Sequence, residues 1–99
     1  KGVIYSHRSC AIHVMSFLMT DFLSVSGKDC WLPLAPMFHA GAWCIPYVAM
    51  CSGFKVVLNN QYSDGKTQIN MIKDHNVTLL SGVPTVLQVC FCYIYFYSH

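Results

Sequence analysis

Apolar residues recur at Ile12, Met15, Met19, Phe22 and Leu23, close to the i, i+3, i+4, i+7 spacing that turns one helical face inward. The pattern predicts an amphipathic helix over residues 9–23, stopped by Ser24, Ser26 and Gly27. The run Cys30-Trp31-Leu32-Pro33-Leu34 reads as a short buried strand, and Pro33 places it at a sheet edge or at a strand end. Residues 39–50 return to a helical pattern that contains Pro46, which predicts a kink or break near Cys44 and Ile45. Gly53 ends that stretch, and Phe54-Lys55-Val56-Val57-Leu58 is β-rich. Asn59-Asn60 and Ser63-Asp64-Gly65 carry turn chemistry. Residues 66–75 place Ile69 and Ile72 on one helical face, and Val77-Thr78-Leu79-Leu80 forms a third strand closed by Ser81-Gly82-Val83-Pro84. Strands alternating with helices predict an α/β fold, a partial βαβαβ unit with a mostly parallel sheet, flanking helices and right-handed crossovers. Residues 89–99 leave this grammar: they have no charge, no polar face and no turn residues.

Composition sharpens the picture. The chain has 99 residues, enough for one modest core, yet 55% are hydrophobic and only 10% charged. Free-standing domains carry about 25% charged residues. The excess of apolar residues points to a membrane segment or to a piece of a larger interior, and the short, turn-separated apolar runs favour the second. The net charge of +2 comes from scattered lysines and one arginine with no basic run, which argues against nucleic-acid binding. Six cysteines without paired spacing, four of them in apolar surroundings (Cys10, Cys30, Cys44 and Cys51), read as buried free thiols. No secretory signal pattern is present, and a reducing intracellular compartment is favoured. Neither Cys nor His shows metal-ligand spacing.

Two segments carry chemistry. The opening Lys1-Gly2-Val3-Ile4-Tyr5-Ser6-His7-Arg8 and the later Pro36-Met37-Phe38-His39-Ala40-Gly41-Ala42-Trp43 occur in the order and at the spacing of two elements of the AMP-forming acyl-CoA synthetases. The chain therefore resembles the adenylate-forming superfamily over residues 1–88, closest in look to fatty-acid and methylmercaptopropionate CoA ligases. Asp74-His75-Asn76-Val77-Thr78 and Gly82-Val83-Pro84-Thr85 resemble further steps of the same family.

The resemblance implies roles. Lys1 and Gly2 would end the phosphate-binding loop. His39 would line the acyl pocket beside the carboxylate, where an imidazole can donate a hydrogen bond to an oxygen. Trp43, one helical turn on, would be a flat apolar wall. Gly82, Val83 and Pro84 would bound the same site, through close backbone approach and a fixed turn. No catalytic residue and no metal ligand is assigned.

The intact parent would join a carboxylic acid to ATP with Mg2+ and pass the acyl group to CoA. Residues 1–88 are expected to be a fragment of its AMP-binding (adenylation) domain and residues 89–99 an apolar aromatic tail outside the family. Without the rest of the phosphate loop, the Tyr-Gly-x-Thr-Glu element and the C-terminal domain, this stretch alone is expected to be inactive and to bind ATP, Mg2+ and CoA poorly. The alternative is a non-catalytic, membrane-anchored or interaction module using residues 77–97, a length close to the roughly 20 residues of a membrane span.

Overall fold

The computed structural model describes residues 2–59 and 64–97. Its first helix, α1 (His7–Leu18), both begins and ends earlier than the apolar periodicity predicts. Ser6 sets the start: its hydroxyl accepts the Ser9 N–H at 3.1 Å, satisfying one of the free donors of the first turn. The end comes where Met19 turns to extended backbone and the chain folds back, with Val25 N–H donating to Phe17 O at 3.2 Å. That reversal buries Val25 and leaves Phe22 and Leu23 exposed, so the periodic pattern outruns the helix.

Strand β1 (Cys30–Pro33) is buried at every position. Helix α2 (Ile45–Ser52) and strand β2 (Lys55–Val56) follow it. Helix α3 (Gly65–His75), strand β3 (Leu79–Ser81) and helix α4 (Pro84–Tyr97) complete the order. The sheet is β2-β1-β3, parallel throughout, with Trp31 opposite Val56 on one side and Leu79 on the other. The expected βαβαβ unit is β1-α2-β2-α3-β3. Pro33 does end its strand, but β1 is central and not an edge. The missing N–H costs little, because Leu34 resumes the ladder by donating to Ser81 O at 2.7 Å.

Alternation along β1 divides the interior into two layers, as the period of two requires. Trp31 joins Val14, Ala42, Ile45, Val48 and Phe54 on the α1/α2 side. Cys30 and Leu32 join Val57, with Met71 and Ile72 of α3, on the other side. A parallel strand covered on both faces is apolar at every position, as Cys30-Trp31-Leu32-Pro33 is.

The second helix starts later than residue 39, at the break expected near Cys44 and Ile45. Residues 36–44 form consecutive turns, and the α-helix begins only at Ile45, with Pro46 in its first turn. Proline lacks a donor that this turn would not use and has the right fixed φ, so Pro46 starts the helix and kinks nothing. Gly53 closes α2 in the left-handed conformation (φ 77°), its N–H donating to Ala49 O. Cys51, grouped above with buried thiols, is exposed, whereas Cys30, Cys44 and Cys90 are buried. Helix α4 runs through residue 88 without interruption. Cys90 is its buried contact with α3, its thiol donating to Gln68 Oε1 at 2.7 Å.

Candidate functional site

Neighbouring parallel strands release their following loops at the same edge of the sheet, and open α/β sheets bind ligands in the crevice outside that edge. β1 and β3 are such a pair. The turns bearing His39 follow β1, and Gly82-Val83-Pro84 follows β3 directly. The two exits are stitched together: Trp31 Nε1 donates to Ser81 Oγ at 2.9 Å, beside the Leu34–Ser81 bond. Gly82 permits the approach, since a Cβ there would stand 3.1 Å from Leu34 Cβ. Val83 O then accepts from Val86 and Leu87 N–H and starts α4 with Pro84 in its first turn.

His39 lies exposed in the turns, its N–H donating to Pro36 O at 2.9 Å. Its carbonyl accepts from Ala42 and Trp43 N–H, at 2.9 and 3.0 Å, so Trp43 does lie one turn beyond it as the spacing predicts. The imidazole Nδ1 accepts the Gly41 N–H at 3.2 Å. In a neutral ring this assigns the proton to Nε2, which becomes the donor available to an oxygen outside the turn.

Trp43 is half-buried and already in company. Its indole stacks on Tyr5 (centroids 4.9 Å apart, planes 16°) and on His13 (5.2 Å, 13°), and Tyr47 meets it edge-on at 6.3 Å. The stack continues from His13 through Phe17 to Trp31 and Phe54, tying the turns to the core. A recess of about 360 Å³ opens beside it, lined by Val3, Tyr5, His7, Cys10, Trp43 and Tyr47.

Neither Tyr5 nor His13 stood out in the sequence as a site residue. No spacing pairs them with Trp43, and only the return of the chain over α1 does so.

Gly2 is exposed, with open space where a Cβ would stand, and Lys1 lies outside the described residues. Close by in sequence, Ser6, Arg8, Ser9, Ile12, His13 and Ser16 line a second recess of about 490 Å³. Open backbone at Gly2, hydroxyls and a guanidinium suit the oxygens of a phosphate. No group of three or more His, Cys, Asp or Glu that could hold a metal ion occurs among the described residues. No helix among those residues is long and apolar enough to cross a membrane, and the membrane-anchored alternative has no support.

An open parallel sheet with loops gathered at its carboxyl edge defines a class, the ligand-binding α/β proteins. Within it, residues 1–95 match the AMP-binding enzyme family, and the chain belongs to that family. It is 42% identical over 86 residues to a long-chain-fatty-acid–CoA ligase of Thermus thermophilus, covering 87% of this chain and 16% of the relative. It is 41% identical over 88 residues to a 3-methylmercaptopropionyl-CoA ligase of Ruegeria lacuscaerulensis, covering 89% and 16%. Among solved structures, o-succinylbenzoate CoA synthetase from Bacillus subtilis, in complex with the acyl-adenylate intermediate OSB-AMP, superposes with a TM-score of 0.79. The identity there is 25%, over 92% of this chain and 23% of the other. The chain thus spans about a sixth of the length of the curated relatives it matches.

Proposed function

We propose that this chain is the acid-binding part of an ATP-dependent acid–CoA ligase, whose complete protein adenylates a small carboxylic acid, of the fatty-acid type, and transfers the acyl group to CoA. One observation carries the reading: β1 and β3, adjacent and parallel, deliver His39 and Gly82-Val83-Pro84 to a single edge of the sheet. There the acid carboxylate would lie near His39, whose Nε2–H would hold one oxygen and orient it toward the phosphate. Trp43 would give the acyl group an apolar wall, and Gly82, Val83 and Pro84 would close the side formed by β3. Lys1 and Gly2 would lie on the phosphate side. ATP, when bound with Mg2+, would supply the adenylyl group with pyrophosphate leaving, and CoA would supply the thiol that takes the acyl group with AMP leaving.

The relatives' names support this reading, and so does the company of a neighbour solved with an acyl-adenylate. In the complete protein, His39→Ala should lower acid-dependent ATP–pyrophosphate exchange about 10- to 100-fold, the usual size of a lost hydrogen bond to a charged group. His39→Gln, which keeps a donor, should recover part of the loss. Unchanged exchange in His39→Ala would remove His39 from the acid site.

A further inference from the structure

Trp43 bears on the proposed acid site, yet much of its ring surface is engaged by residues with no role so far. Tyr5 reaches it from the segment before α1 and His13 from the middle of α1, both nearly parallel to the indole. Tyr47, from the first turn of α2, adds an edge contact. Aromatic rings hold one another most firmly in such offset-parallel and edge-on arrangements. Turning the indole about its side-chain bonds would break both parallel contacts at once. The part of Trp43 left open to a ligand is therefore decided by its neighbours.

His13 is the informative one. It is half-buried on α1, and Ser16 Oγ donates to its carbonyl at 2.6 Å, fixing the backbone beneath the ring. Its imidazole has Trp43 on one contact and Phe17 on another, edge-on at 5.2 Å. Arg8 is the charged side chain that shares its recess, His7 and Cys10 line the recess beside Trp43, and Tyr5 and Tyr47 are the other titratable rings on Trp43. An apolar ring would fill the same space, but an imidazole can change charge near neutral pH while remaining stacked.

We propose that His13 is a positioning residue for Trp43, holding the indole plane so that the proposed acid pocket has a fixed wall. The inference rests on the reading of Trp43 as part of that pocket, and two measurements separate the two ideas. The first needs no activity. Tryptophan emission of the full protein is followed from about pH 5 to 8, the range in which histidine changes charge, and a stacked imidazolium quenches the indole beside it. The expected result is a titration step that survives His7→Gln, a control in the neighbouring recess, and disappears in both Trp43→Phe and His13→Phe. His13→Gln serves the same purpose should the phenylalanine variant fail to fold. A step that persists without His13, or no step in the unaltered protein, overturns the stacking role.

The second measurement is acid-dependent ATP–pyrophosphate exchange with a series of straight-chain acids. His13→Ala should raise KM for the acid about fivefold or more and flatten the discrimination between chain lengths, with kcat altered less. His13→Phe should restore the discrimination. An emission step that depends on His13, together with unchanged acid KM in His13→Ala, overturns the positioning role and leaves the ligase reading intact. Absence of exchange in the unaltered protein counts against the ligase reading and, with it, against any role of His13 in acid selection. The emission data then decide the stacking alone.

Discussion

Asp29 joins two parts of the chain that lie far apart in sequence. Its carboxylate accepts from Ser26 N–H at 2.8 Å and Ser26 Oγ at 3.1 Å, and from the Thr78 hydroxyl at 2.9 Å. Thr78 in turn accepts the Cys30 N–H at 3.0 Å, so the start of β1 and the lead into β3 share one small polar knot. The Ser26 backbone hydrogen bond, then that of Thr78, holds the Asp29 carboxyl below its ordinary value. A carboxylate whose folded pKa is lowered stabilises fully above its unfolded value of about 3.9 and loses that contribution as pH falls toward the folded value. Asp29→Asn should therefore be less stable than the unaltered chain at pH 7, with the gap closing as pH drops below about 4. Urea midpoints measured for both across that range check it; a gap that stays constant would mean the charge is irrelevant.

Between elements, α3 and α4 approach closely at Gly65. A Cβ on Gly65 would stand 3.1 Å from Tyr93 Cβ and 3.2 Å from both Val89 Cγ1 and Val89 O. Those neighbours include a backbone oxygen on a helix, so the strain cannot be relieved by a side-chain swing alone. Gly65→Ala should cost about 1–3 kcal/mol, as overpacking commonly does. Lys66→Ala at the next, exposed position should stay within about 0.5 kcal/mol. Denaturant midpoints of the two variants, compared with the parent, test the helix contact. Asp64 caps the same helix, accepting the Thr67 N–H at 3.0 Å, and that turn chemistry was readable in Ser63-Asp64-Gly65.

Across the whole molecule, two apolar layers enclose one parallel sheet, and the distribution of thiols reports how well they close. Cys30, Cys44 and Cys90 are buried, and burial raises the Cys44 and Cys90 thiols, which leaves less of the reactive thiolate at neutral pH. Cys51 and Cys92 are exposed. Under native conditions a thiol reagent should label Cys51 and Cys92 first and reach the three buried cysteines only on unfolding, read by mass spectrometry of the labelled peptides. Early labelling of Cys44 would show that the α1/α2 layer opens. The exposed apolar residues are many, among them Phe38, Met50 and Phe96. Exposed apolar surface of this kind marks contact sites on proteins in general.

The sequence by itself determined the types of the elements from α1 to β3, the α/β class and the family, because each rests on local pattern: period two or near four, turn residues, and short motifs such as Pro36-Met37-Phe38-His39; α4, whose apolar residues show no polar face, it did not announce. It also placed His39 and Trp43 one turn apart. Helix ends were less legible, since Phe22 and Leu23 continue an apolar rhythm after the backbone has already reversed at Met19. Pro46 was ambiguous for a similar reason: a proline disrupts a helix interior and favours a helix start, and only the backbone tells which applies. The tertiary structure alone decided that β1 is central, that β1 and β3 open at one edge, and that Tyr5 and His13 close on Trp43. Those pairings join residues remote in sequence, and what selects them is the burial of both faces of one sheet, which no local spacing records.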